Sequence, residues 1–79
     1  MASVRSSRLI RWFAAGHLPP HLRAVSEPCG ELATRLDELL PECAEKSAGL
    51  RKLLEAKDCF VRAAIEAHDA ERAAAEGAS

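Results

Sequence analysis

Pro41 does more than any other residue to limit the folds open to this chain. It stands between two long stretches that each carry apolar residues at helical spacing, in "ELLPECAEK". Upstream, Cys29, Leu32, Ala33, Leu36, Leu39 and Leu40 recur at intervals of three and four, the signature of one apolar helix face. Downstream, Leu50, Leu54, Val61, Ala64, Ile65 and His68 form a second such stripe, with Leu53 and Phe60 beside it. Proline ends the first helix and suits the opening of the second, where Glu42 and Glu45 meet the positive end of the dipole. Two helices joined so tightly pack antiparallel.

The helix boundaries follow from local chemistry. Ser26 is a candidate cap and Pro28 is tolerated in a first turn, so the first hairpin helix is expected over residues 26–40. The second is expected over 41–76, fraying after about Ala75, where "AERAAAEGAS" loses its large apolar anchors. Pairs four apart, Glu42 with Lys46, Arg51 with Glu55, Asp58 with Arg62 and Arg62 with Glu66, should support its outer side.

Residues 1–25 are of another kind. Arg5, Arg8, Arg11 and Arg23 are accompanied by no acidic residue, whereas the remainder of the chain is net acidic. Ser6 or Ser7 can cap a short helix running to about Ala15, which Gly16 would end. "HLPPHL" then makes a rigid corner, because Pro19 and Pro20 restrict the residues before them. The expected architecture is all-α within a single domain, residues 1–79: a basic N-terminal segment carrying a short helix, a proline corner and an antiparallel hairpin. At 79 residues such a chain buries only about 60% of its unfolded surface. Much of its apolar content is alanine, and the stripe on the second helix is wider than the first can cover. A homo-oligomer is the expected remedy.

Chemistry for catalysis or metal binding is sparse. The sequence contains no glycine-rich phosphate loop, nucleophile elbow or metalloprotease motif. Cys29, Cys43 and Cys59 are odd in number and widely spaced, which matches neither a disulfide framework nor a zinc site, so they read as reduced. His17 and His21 are separated by two prolines and lack a third ligand nearby. His68 lies on an apolar stripe and reads as a packed or interface histidine. No run of about 18 apolar residues suggests a membrane span, and no signal peptide is evident, which places the protein in a cytosol.

Binding chemistry is concentrated in "IRWFAAGHLPPHLR". Two of the three aromatic residues of the chain, Trp12 and Phe13, stand there among arginines. Cations neutralise phosphate and flat side chains stack on bases, at about 1–3 kcal/mol per base. The same residues also suit a packed role, the rings in an intersubunit groove and the arginines facing water or carboxylates. Helical phase puts Phe13 with Leu9 toward a packed surface and Trp12 nearer the arginines.

Pro41 to Ile65, "PECAEKSAGLRKLLEAKDCFVRAAI", resembles the helical hairpin of a small phage-encoded family, the anti-CBASS cyclic-oligonucleotide sponges. The matching residues are Pro41, Glu45, Lys46, Ser47, Leu50, Lys52, Leu53, Glu55, Ala56, Ala64 and Ile65, about a third of the chain. Upstream, Phe13, His17 and Pro19 are similar to an aromatic, a histidine and a proline that precede that hairpin. The resemblance implies a non-enzymatic protein that forms a helical homo-oligomer, in the family a hexamer, in the cytoplasm of the infected bacterial host. There it would sequester cyclic di- or trinucleotides of bacterial immune signalling without cleaving them, needing no cofactor.

Two positions depart from the family pattern. Gly16 stands where a tyrosine commonly precedes the histidine, and Gly30 where a basic residue is often found. Stacking would then pass to Trp12 or Phe13 and phosphate binding to Arg23 or Arg11. The expected ligand-binding residues are therefore Arg11, Trp12, Phe13, His17, Arg23, Arg51, Lys52 and Arg62. The competing expectation is a helical adaptor or structural phage protein working through protein contacts. DNA binding is not expected, because no recognition helix carries clustered basic and amide side chains.

Overall fold

A computed structural model describes residues 9–77. Among them are a 3-10 turn, Arg11–Phe13, and two α-helices, α1, Pro20–Leu39, and α2, Ala44–Gly77, with no strand. The fold is all-helical, an arm packed on a helical hairpin. Ser6 and Ser7 lie outside the described residues.

Helix α1 starts earlier than the serine signal implied. Pro19 takes an extended backbone (φ −58°, ψ 155°) and Pro20 is the first helical residue, where its fixed φ suits a helix and its missing N–H would have had no partner. The Pro19 carbonyl accepts from the Leu22 and Arg23 amides at 3.0 and 2.9 Å. Ser26 is therefore no cap. It lies inside the helix, fully buried, and Pro28 also sits within it. Pro28 deprives the Ala24 carbonyl of its helical donor, and both residues are exposed, so water can take that place.

Lys46 closes the hairpin at the loop. Its ammonium donates to the Asp37 and Leu40 carbonyls at 2.8 and 2.9 Å and pairs with the Asp37 and Glu42 carboxylates at 2.9 and 3.6 Å. Carbonyls at a helix C-terminus lack internal donors, and a cation satisfies them and meets the negative end of the dipole. The hydrogen bond to Asp37 holds Lys46 above the usual lysine range; burial opposes it, and the charges of Asp37 and Glu42 reinforce it. Helix α2 begins at Ala44, three residues later than the 41–76 expectation, and residues 40–43 form the loop whose Leu40 carbonyl and Glu42 carboxylate meet Lys46.

Phe13, Ala33 and Leu50 are the buried apolar centre, with Leu9, Ile10, Cys29, Leu53 and Leu54 packed around them. Phe13 comes from the arm, so the arm completes the core of the hairpin. It can approach because Gly30 has no side chain: a Cβ there would stand 3.2 Å from the Phe13 carbonyl oxygen. The expected helix to Ala15 is shorter, ending as a 3-10 turn whose following residue, Ala14, is extended (φ −60°, ψ 130°).

At the opposite end His21 stacks on His68, ring centroids 4.1 Å apart and planes 17° from parallel. Beyond that stack, Asp69 to Gly77 continue α2 with every residue exposed. The helix runs to Gly77, two residues past the point where fraying was expected to begin. The molecule measures 56 × 20 × 16 Å with a radius of gyration of 15.7 Å, against about 12 Å for a compact chain of this length. It is elongated, with one long axis and two short ones of similar length. No helix is long and apolar enough to cross a membrane.

Candidate functional site

The arm and α2 enclose a cleft of 500 Å³ lined by Arg11, Trp12, Ala14, His17, Leu18, Lys57, Asp58, Val61 and Arg62. Its geometry starts in the 3-10 turn, which sends Phe13 inward (4% exposed) and the adjacent Trp12 outward (59% exposed). The Arg11 guanidinium lies 5.5 Å from the centre of the Trp12 ring, a cation–π distance. Lys57 fixes this unit to α2, since its ammonium donates to the Trp12 carbonyl at 3.3 Å and pairs with Asp58 at 3.0 Å. Arg62, one helical turn on, donates to the Cys59 sulfur at 3.3 Å. His17 is exposed at the rim.

Four of the eight expected ligand residues, Arg11, Trp12, His17 and Arg62, thus meet in one cleft. The other four do not. Phe13 is a core residue, and a buried ring offers no face for stacking. Arg23 is half-buried and donates to the Leu18 carbonyl at 3.2 Å, which braces the proline corner. Arg51 and Lys52 are exposed. Arg51 shares a side of α2 with Asp58 two turns nearer the loop, and Lys52 lies about 100° further round.

The helix-supporting pairs also differ from expectation. Glu42 meets Lys46, but Asp58 pairs with Lys57 and Arg62 turns to Cys59. Arg51 with Glu55 and Arg62 with Glu66 are not among the ion pairs of the described residues. All three cysteines are free; Cys29 is half-buried while Cys43 and Cys59 are exposed, so only the first is a packing residue. No group of three or more potential metal ligands occurs among the described residues.

Two groups, one of them in the cleft, were not foreseen from the sequence. Neither Lys57 nor Asp58 is among the expected ligand-binding residues, and only the arm's backbone, forty-five positions away, gives Lys57 its role. The His21 and His68 stack joins residues on different helices. The apolar stripe that carries His68 was its only signal.

A second cleft, of 570 Å³, lies on the other side of the arm and is rimmed by Glu27, Glu31 and Glu38 against the single cation Arg35. That balance disfavours an anion. The cleft containing Trp12 has the opposite composition, three permanent cations and one carboxylate. Comparison with known protein families, curated proteins and solved structures gives no match for this chain.

Proposed function

We propose that this protein binds and sequesters cyclic di- or trinucleotide second messengers of bacterial anti-phage signalling, without cleaving them, and so acts as a phage immune-evasion protein in the cytoplasm of the infected host. The observation that carries this reading is the meeting of Arg11, Trp12, His17 and Arg62 in one cleft. A cyclic nucleotide needs cations for its phosphodiesters and a flat surface for a base. Trp12 provides an exposed ring braced by Arg11, and Arg62 provides a second cation across the cleft. The 500 Å³ volume lies within the usual range for small-molecule sites, roughly 300–1,000 Å³. Sequestration requires affinity alone, which accords with the sequence's lack of a catalytic motif.

The working form in this reading is a homo-oligomer, a hexamer by resemblance. Its support is the apolar side of the hairpin away from the arm. Leu32 and Leu39, 47% and 69% exposed, stand seven residues apart on α1, and Phe60, 52% exposed, stands about 160° round α2 from both Asp58 and Arg62. Exposed apolar surface of this kind marks an association site. It equally suits a helical adaptor that engages a different protein, which is the second reading.

Calorimetric titration of the purified chain against cyclic di- and trinucleotides, with a short duplex DNA as control, tests the proposal. Binding to a cyclic nucleotide, recovery of that nucleotide intact after denaturation, and no comparable heat with DNA are expected. Silence toward every cyclic nucleotide at micromolar concentration would leave the adaptor reading.

A further inference from the structure

Asp58 is the anomaly of the cleft. It is the one carboxylate among the lining residues, its side chain is 49% exposed, and a carboxylate repels the phosphates that the surrounding cations attract. Its bond to Lys57 does not account for it. Adjacent residues on a helix do not normally face one another, and a pair this exposed contributes little to stability. The bond instead sets a position. One ammonium holds both a carboxylate oxygen of Asp58 and the backbone of Trp12, at 3.0 and 3.3 Å, so the carboxylate and the aromatic residue are referenced to the same nitrogen.

An ionised carboxylate only accepts hydrogen bonds, and it has room for several. Beside an anionic ligand it is tolerated where it meets a donor edge. Among the common bases, guanine alone presents two adjacent donors, the ring N1–H and the exocyclic amine, in the parallel arrangement that a carboxylate accepts. Adenine sets one amine beside a ring nitrogen that is itself an acceptor, and uracil offers a single N–H. Resting on the nucleotide-binding reading, we infer that Asp58 makes this cleft selective for a guanine-bearing nucleotide. The base stacks on Trp12, Asp58 accepts from its Watson–Crick edge, and Arg11 and Arg62 take the phosphates. Lys57, already committed, positions the carboxylate and does not contact the ligand.

The test is calorimetry of the full chain with cyclic di-guanylate, cyclic di-inosinate and cyclic di-adenylate, repeated with Asp58→Asn. Inosine keeps the N1–H and lacks the amine, so it removes one donor without any change to the protein. A good bidentate contact is worth about five- to 150-fold in discrimination. The guanine ligand should therefore bind at least about five-fold tighter than the adenine ligand, with the inosine ligand between them. In Asp58→Asn, checked for helicity by circular dichroism, the guanine-to-adenine ratio should collapse toward one. Equal binding of guanine and inosine ligands, or an unchanged ratio in Asp58→Asn, overturns the selectivity and leaves nucleotide binding standing. Failure of all three ligands to bind, with cyclic trinucleotides also silent, overturns both.

Discussion

Lys57 reaches across forty-five positions of sequence to donate to the Trp12 carbonyl at 3.3 Å. This contact ties the arm to α2 on the cleft side, while Phe13 ties it to the core on the other. Lys57→Met should release the first tie and keep the second. A hydrogen bond of this kind contributes about 1 kcal/mol. The variant should retain its helical circular dichroism and show faster proteolytic cleavage near Arg11, with altered Trp12 fluorescence. Unchanged cleavage and fluorescence would mean that Phe13 alone positions the arm.

The two neighbouring aromatics should separate cleanly by experiment. Phe13→Ala removes a buried ring and should cost about 3–5 kcal/mol of stability, seen as a lowered denaturation midpoint. Trp12→Ala removes an exposed ring and should leave that midpoint nearly unchanged. Its effect should fall on nucleotide affinity, by about 1–3 kcal/mol or roughly five- to 150-fold. Equal destabilisation by both would place Trp12 in a packed interface.

Lys46 gives the fold a defined alkaline limit. Its ammonium is held above the usual lysine range, so its stabilising contribution is complete below the unfolded-state value, about 10.5. That contribution is lost as pH rises through the higher folded-state value. Thermal melts of the natural chain and Lys46→Met should differ most near neutrality and draw together only as pH rises beyond the ordinary lysine value. A constant difference across that range would show that the clamp works by packing of the lysine stem and not by its charge.

Phe60 tests the association surface independently of any ligand. It is half-exposed near the middle of α2 on the side away from the arm, so Phe60→Glu should leave the hairpin folded. Light scattering coupled to size exclusion should then show a smaller species than the natural chain gives at the same concentration. An identical mass for both would exclude this face from the assembly.

The hairpin was legible because its information is local: the spacing of leucines along each helix and one proline between them. The start of α1 was misread because Ser26 and Pro28 together resemble a helix opening, whereas the preceding Pro19 and Pro20 supply a more restrictive one. Nothing near Ser26 in sequence shows that the hairpin will bury it completely. Helical phase put Phe13 toward a packed surface and Trp12 nearer the arginines, and the arm keeps that division although it is a 3-10 turn. Lys46 was expected as half of a surface pair. Its burial depends on where the carbonyls at the end of α1 point, which a pattern of charges does not encode. The cleft was half legible for the same reason, since Arg11, Trp12 and His17 stand together in sequence but Lys57 and Asp58 join them only through the tertiary fold.

Gly30 couples two features that resemblance alone would treat as separate. The arm crosses α1 where the side chain is absent, and a Cβ there already crowds the Phe13 carbonyl at 3.2 Å. A lysine or arginine at this position would compete with the arm for the same volume. The docked arm and a basic residue at position 30 are thus alternative tenants of one site. A chain that gains the cation must displace the segment bearing Trp12 by at least a few tenths of an ångström, and the cleft beside it shifts with that segment.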